Sequence, residues 1–176
     1  MTQIDDLLDL YGEPVPASLI KVSAHLTPLY SKWIKSSRFC ILSTVCGEKT
    51  DNSPRGDKIS VVKVSDNKTL LLPDWPGNNR LDSLRNIIVD GRASLMFMIS
   101  GITTVVRTNG TAKITNDVNI KKQFAIQDKY PATVIVFKIQ EVYVQCSKAI
   151  IRSELWSSDA TVDAPSLSDI LEEARK

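Results

Sequence analysis

The fold of this chain is decided by one stretch, Leu72-Pro73-Asp74-Trp75-Pro76-Gly77-Asn78-Asn79-Arg80. Residues 70–72 before it are apolar, as in a strand. Residues after it have helical spacing, with the apolar side chains on one face at positions 81, 84, 87 and 88. Two prolines restrict the backbone between the two patterns. The stretch therefore predicts a strand, a loop and a helix that begins at Asn78 or Asn79, with Arg80 in its first turn.

A helix that begins in this way is suited to bind a phosphate. The backbone N–H groups of a first turn have no partner within the helix and carry partial positive charge. An arginine there meets the positive end of the helix dipole, so the position of Arg80 is better explained if an anion is bound. The alternative is an ordinary connection between a strand and a helix, in which an asparagine caps the helix.

A second arginine lies in a short stretch upstream, Ser53-Pro54-Arg55-Gly56-Asp57, which has the composition of a compact turn. The alternation that follows predicts a strand at residues 59–64, and this strand would form a hairpin with residues 70–72. An antiparallel hairpin brings its two ends together. We therefore expect Arg55 and Arg80 to reach one phosphate, whose oxygens match the fork of a guanidinium group.

Length and charge limit the possible classes of protein. The chain has 176 residues, 22 of them basic and 20 acidic, and a net charge of +2. This length predicts a single domain over residues 1–176, with a helical extension at residues 1–37 and a linker and helix at 157–176. The charge is too balanced, and its basic residues too dispersed, to indicate a nucleic-acid partner.

The remaining composition argues against several kinds of site. Three cysteines without C-x-x-C spacing indicate free thiols in a reducing compartment. His25 is the only histidine, which leaves too few ligands for zinc and no histidine-based triad, so no metal is expected. The amino terminus is acidic and unlike a signal peptide, and no apolar run approaches the roughly 18 residues of a membrane span. We expect a cytoplasmic protein with no membrane partner.

The rest of the chain is mostly β in pattern. Strands are predicted at residues 39–44, 93–99, 103–114 and 132–144, the third with a bulge at Gly110 rather than a hairpin at Asn109-Gly110. Helices are predicted from Thr27, from residues 115–117 to near Gln127, at 147–155 and at 166–175. Six or seven mostly antiparallel strands with peripheral helices favour a closed or partly open small barrel, because a barrel protects its edges.

These motifs resemble those of the pyridoxamine 5′-phosphate oxidase-like proteins, which are FMN-binding split β-barrels. The similar segments are the turn at Arg55, the loop at 73–80, the run Arg107-Thr108-Asn109-Gly110 and the closing stretch from Gln145 to Trp156. The match covers roughly residues 35–175 and is closest to a bacterial subgroup of probable FMN-dependent enzymes. The resemblance implies a homodimer with FMN at the subunit interface and contacts from both chains.

The resemblance also implies roles for individual residues. Arg55 is similar to the arginine that starts the first flavin segment, and Asn78, Asn79 and Arg80 are similar to a Ser-Arg-Lys triplet that holds the phosphate. Arg107 lies on a strand that lines the flavin in the family, and its alternative is a surface residue with an acidic partner across the sheet. The implied contacts from the second chain to the flavin ring are Gln145 and Ser147. The substrate-side candidates are Arg152 and Trp156, and the alternative for Trp156 is a core or interface aromatic.

The resemblance implies an FMN-dependent oxidoreductase in which hydride or electrons pass through flavin N5. It implies oxidation of pyridoxamine phosphate less strongly, because the Arg-x-His of the true oxidase is absent and no histidine follows His25. The main alternative is a non-catalytic dimer that binds flavin or a related ligand. A reductase using a free reduced cofactor, and a deazaflavin or haem ligand, are further alternatives, and the single histidine weighs against haem.

Overall fold

The computed structural model of the protein describes residues 4–157 and 164–175. Within them, the helices are α1 (Ile4–Tyr11), α2 (Pro16–Ile20), α3 (Pro28–Ser36), α4 (Asp82–Val89), α5 (Val118–Lys122), α6 (Lys148–Arg152) and α7 (Leu167–Glu173). The strands are β1 (Phe39–Cys46), β2 (Lys49–Gly56), β3 (Lys63–Asp66), β4 (Thr69–Asp74), β5 (Arg92–Met98), β6 (Val105–Thr115) and β7 (Thr133–Gln145). The predicted linker falls mainly on residues 158–163, outside the described residues.

The strands form one seven-stranded sheet in the order β2-β1-β5-β6-β7-β4-β3, and every pairing in it is antiparallel. The prediction of a mainly β split barrel with six to seven mostly antiparallel strands is therefore confirmed. The sheet curls around a hydrophobic core to which strands from both ends of the sheet order contribute. The largest fully buried side chains are Phe97, Phe137, Ile34, Leu42, Leu70, Leu72, Leu95 and Ile135. None of the helices in the described residues is long and apolar enough to cross a membrane.

The local signals at the ends of the chain predict helices correctly. Thr27 caps α3 by accepting a hydrogen bond from the backbone N–H of Tyr30, with Pro28 at the first helical position. Ser166 and Asp169 form the predicted capping box of α7. The helix predicted to end near Gln127 is shorter, because α5 ends at Lys122 and the following turns use bonds between residues three apart.

Two predictions between residues 53 and 64 are wrong. The segment around Arg55 is not a turn but the second half of β2, in register with β1, where Pro54 stands opposite Ile41. Proline is tolerated there because β2 is an edge strand, so its missing N–H leaves no ladder bond broken.

The strand expected at residues 59–64 starts only at Lys63. Val61 and Val62 are both buried, at 3% and 1% exposure, and two consecutive residues of a regular strand would face opposite sides of the sheet. The backbone is held by other bonds, since Val61 N–H donates to the Ser37 carbonyl at 2.9 Å. Because both valines are buried, side chains in this segment do not alternate between buried and exposed, and no strand forms in it before Lys63.

The prediction of one long strand through Asn109-Gly110, rather than a hairpin, is confirmed, but the bulge lies on β7 opposite the glycine. The register of β6 and β7 shifts between Asn109, opposite Glu141, and Gly110, opposite Ile139, so Gln140 is the extra residue. Glycine is required at this point because the two backbones come very close together. A Cβ atom on Gly110 would lie 2.0 Å from the carbonyl oxygen of Lys138.

We predict that Gly110→Ala destabilises the protein by more than about 2 kcal/mol, because the methyl group forces the two central strands apart. The measurement is the free energy of unfolding in urea. Gly77→Ala is the matched control, since a Cβ there meets nothing within 4 Å. An equal effect of both substitutions would contradict the requirement for close approach at Gly110.

Cys40 provides a second prediction. Burial raises the pKa of its thiol to about 12, and the positive charge of Arg55 opposes this only in part. At pH 8 roughly one thiol in 10,000 is then ionised. In a Cys46→Ser/Cys146→Ser variant, we expect iodoacetamide to modify Cys40 only after unfolding in urea, as measured by intact mass. Rapid modification of the folded protein would contradict the burial of this thiol.

Candidate functional site

The loop that follows β4 does not lead directly into a helix. The helix predicted to begin at Asn78 or Asn79 begins at Asp82, with Leu81 as its N-cap, so the predicted start is wrong. The reason lies in the backbone of the two asparagines. The Asn78 side chain accepts a bond from the Arg80 N–H at 3.0 Å, and Asn79 has a left-handed φ of +60°. Arg80 therefore lies on the loop, two residues before the helix.

This loop forms one wall of a cavity of about 780 Å³, which we call the loop cavity. Its other wall is made by residues of β2, the end of β4 and the first turn of α4. The sequence-predicted residues that line it are Arg55, Asn78, Asn79 and Arg80. The expectation that the two arginines share one location therefore agrees with the structure, although the hairpin that led to it is not formed as predicted.

Arg55 reaches the loop cavity because the sheet curls. It lies on edge strand β2, and its guanidinium forms an ion pair with Asp74 at the end of β4, near the opposite edge. The side chains are only 21% and 13% exposed. A partly buried pair is screened less by water than a surface pair, so it holds both groups in place more firmly.

A chain of hydrogen bonds continues from Arg55 to α4. Arg55 Nε donates to Ser53 Oγ at 3.2 Å, the Oγ atoms of Ser53 and Ser83 are 3.0 Å apart, and Ser83 bonds to Asp51. Sequence reasoning missed Asp51, Ser53 and Ser83. The signal was present, because residues 51, 53 and 55 have the period of two that places side chains on one face of a strand. The interpretation of residues 53–57 as a turn obscured it.

Arg80 is the most accessible cation of the loop cavity. Its Nε donates to Asp82 Oδ2 at 2.6 Å, while the side chain stays 81% exposed. This hydrogen bond, together with the charges of Arg80, Arg85 and Lys49, lowers the pKa of the Asp82 carboxyl. Within the described residues the two terminal nitrogens of Arg80 have no hydrogen-bond partner, so both are available as donors.

The loop cavity is mixed in charge. Asp51, Asp74 and Asp82 line it together with Arg55 and Arg80. The lining therefore has three carboxylates and two guanidinium groups, while Arg85 and Lys49 add positive charge near Asp82 from outside the lining. The described residues bring together no group of three or more histidine, cysteine or acidic side chains suited to a metal ion.

The other predicted contacts lie elsewhere on the chain. Arg107 on β6 donates to the side-chain oxygen of Gln145 on β7 at 3.0 Å, and its guanidinium is 5.3 Å from the centre of the Tyr143 ring. Across the sheet, Arg107 therefore contacts the amide of Gln145 and the ring of Tyr143, rather than the acidic partner of the alternative interpretation. Ser147 is the N-cap of α6 but makes no side-chain capping bond. None of these residues lines the loop cavity.

The two substrate-side candidates lie near the carboxyl end of the stretch from Gln145 to Trp156. Arg152 is the last residue of α6 and is exposed. Trp156 is 38% exposed, and its indole N–H donates to the carbonyl of Ile102 at 2.9 Å. It lines a second cavity, which is separate from the loop cavity. Within one chain, the predicted site residues therefore divide into those that line the loop cavity and a second group that lies outside it.

Comparison with known proteins identifies the family. A family model described as pyridoxamine 5′-phosphate oxidase matches residues 26–146, which is more than half of the chain. The protein therefore belongs to the pyridoxamine 5′-phosphate oxidase family. A comparison with curated proteins finds no match.

Solved structures show the same fold at low sequence identity. HupZ of Group A Streptococcus is 19% identical, with a TM-score of 0.53 over 66% of this chain and 91% of that chain. A candidate pyridoxamine 5′-phosphate oxidase from Lactobacillus delbrueckii is also 19% identical, with a TM-score of 0.53 over 69% of this chain and 95% of that chain. At this identity the likeness extends to the fold alone.

We predict that Arg55 and Asp74 are energetically coupled in the folded protein. A double-mutant cycle with Arg55→Gln and Asp74→Asn, measured by urea unfolding, should give a coupling of about 1–3 kcal/mol, because the pair is partly buried. The matched cycle uses Arg80→Gln and Asp82→Asn, an exposed pair that we expect to be much more weakly coupled. Equal coupling in the two cycles would contradict a structural role of the Arg55–Asp74 pair.

Proposed function

We propose that the protein is an FMN-dependent oxidoreductase that binds the phosphate of its cofactor in the loop cavity. The observation that carries the proposal is the meeting of Arg55, Asn78, Asn79 and Arg80 in one cavity. Arg55 lies on β2 and is more than twenty positions before the three consecutive loop residues, so its meeting with them is a property of the fold. Membership of the pyridoxamine 5′-phosphate oxidase family supports the same cofactor.

The residues of the loop cavity fit a phosphate by chemistry. The terminal nitrogens of Arg80 match two phosphate oxygens, and Arg55 adds a second guanidinium that Ser53 and Asp74 already orient. The side-chain amide groups of Asn78 and Asn79 are further neutral donors. The carboxylates of Asp74 and Asp82 hold the arginines in position and reduce the net charge that the phosphate meets.

A bound FMN would supply hydride or electron transfer at its N5 atom. The chain itself would bind and orient: Arg55 and Arg80 hold the phosphate end, and Asn78 and Asn79 fix its position. The candidates that would contact a substrate are Arg152, which can pair with an anionic group, and Trp156, which can pack against a ring.

We further propose that the protein acts as a homodimer, in which the second group of residues serves the partner's cofactor. The support is their separation: Arg107, Gln145 and Ser147 are absent from the lining of the loop cavity of their own chain. Contacts from a second chain would bring both groups to one flavin. Under this proposal each flavin site needs two copies, so monomeric protein would retain the cofactor poorly.

We predict that the purified protein has the visible absorbance of a flavin and releases FMN, identified by its mass. Arg80→Ala should weaken FMN binding at least about tenfold without reducing stability, because Arg80 is exposed and its loss removes charged hydrogen bonds to the phosphate. The double variant Arg55→Ala/Arg80→Ala should lose FMN, and ultracentrifugation would verify that the dimer remains. Fluorescence titration of the free cofactor gives the dissociation constants.

Arg92→Ala is the matched control, because Arg92 is also exposed and also pairs through Nε with an aspartate two residues away, at 2.6 Å. Full retention of FMN by the double variant would refute the phosphate assignment. Reduction of bound flavin by a nicotinamide cofactor or an amine would support the enzyme. A flavin that no such donor reduces would favour the non-catalytic flavin-binding dimer.

A further inference from the structure

A second cavity lies beside the start of β1 and the end of β5. It has a volume of about 570 Å³, which is within the roughly 300–1,000 Å³ usual for small-molecule sites. It is lined by Ser36, Arg38, Phe39, Met98, Ile99, Ser100 and Trp156, and we call it the tryptophan cavity. It shares no lining residue with the loop cavity.

The walls of the tryptophan cavity are apolar and aromatic. Phe39 and Trp156 face it and are each 38% exposed, which is high for aromatic side chains beside a buried sheet. Met98 and Ile99 continue the apolar lining. Removing these surfaces from water is favourable, so a flat apolar ring is the kind of group that this space accommodates.

The single ionisable residue that lines the cavity is Arg38. Within the described residues its guanidinium has neither an ion pair nor a side-chain hydrogen bond, whereas Arg55, Arg80 and Arg92 each pair with an aspartate. An unpaired guanidinium beside aromatic walls attracts a carboxylate carried on an apolar body, because the pair forms where water is partly excluded.

The side chain of Trp156 is held in place by a hydrogen bond. Its indole N–H bonds to the Ile102 carbonyl in the turn between β5 and β6. The ring also lines a neighbouring cavity together with Ile150 and Ile151 of α6, so it separates that cavity from the tryptophan cavity. A side chain whose polar atom is already bonded is partly pre-organised, so binding costs less ordering entropy.

We propose that the tryptophan cavity is a binding site for a small aromatic monocarboxylate, with Arg38 as the anion anchor and Phe39 and Trp156 as the aromatic walls. The site has no residue in common with the loop cavity, and it rests on the proposed function only through Trp156, the substrate-side candidate. The residue assigned to the anion is Arg38, which precedes β1, rather than Arg152 at the end of α6.

The test is calorimetric titration of the full-length protein with 2-naphthoate and with its neutral counterpart, 2-naphthamide. Wild type should bind naphthoate at least about tenfold more tightly than naphthamide, since only the carboxylate pairs with Arg38. In Arg38→Gln this preference should disappear while naphthamide still binds, which shows that the cavity remains intact. Arg92→Gln, a control at another exposed arginine, should keep the preference.

Trp156→Ala tests the aromatic wall, and we expect it to weaken both ligands. The proposal is overturned if Arg38→Gln binds naphthoate as tightly as wild type does, or if wild type binds neither ligand because a second copy of the chain covers the cavity. Displacement of naphthoate by saturating FMN would also overturn it, because the flavin itself, rather than a monocarboxylate, would then occupy the cavity. Loss of FMN in the Arg80→Ala variant, with naphthoate binding unchanged, would support two separate sites.

Discussion

The ion pair between Arg55 and Asp74 is the interaction on which the rest of the candidate site depends. It joins β2 and β4, which lie towards opposite edges of the sheet and share no strand pairing in the described residues. Because one charged group comes from each strand, the pair forms only when the sheet curls. The same curling brings the loop after β4 against β2 and creates the loop cavity. The curvature of the sheet therefore accounts both for the position of Arg55 and for the loop cavity.

The pairing of each arginine with an aspartate also explains how carboxylates and proposed phosphate donors can line the same cavity. Asp74 orients Arg55 and Asp82 orients Arg80, and each pairing leaves nitrogen donors of its arginine unused. Oriented guanidinium groups lose little freedom when an anion arrives. The tryptophan cavity differs in this respect, because Arg38 has no acidic partner and its walls are apolar. The two cavities therefore suit different ligands, one a phosphate and the other a carboxylate on an aromatic body.

Much of the fold could be predicted from local sequence. Apolar alternation located most strands, capping residues located α3 and α7, and the single long strand β6 followed from continued alternation on both sides of Asn109-Gly110. The errors fell where tertiary contacts override local preference. Pro54 and Gly56 indicate a turn by composition, yet they occupy an edge strand whose partner is set by β1. Consecutive burial of Val61 and Val62 replaced the first part of the strand expected there, so β3 starts only at Lys63.

The sequence by itself determined the class of the fold and the residue types available for an anion, because periodicity, capping and side-chain chemistry are local properties. Only the tertiary structure decided which of those residues meet. It placed Arg55 beside Asp74, connected them to Ser53, Ser83 and Asp51, and separated the group at Arg107 and Gln145 from the loop cavity. The physical reason is that such meetings depend on how far the sheet curls and on the order of its strands. Those properties are set by packing of the whole core rather than by any short stretch of the chain.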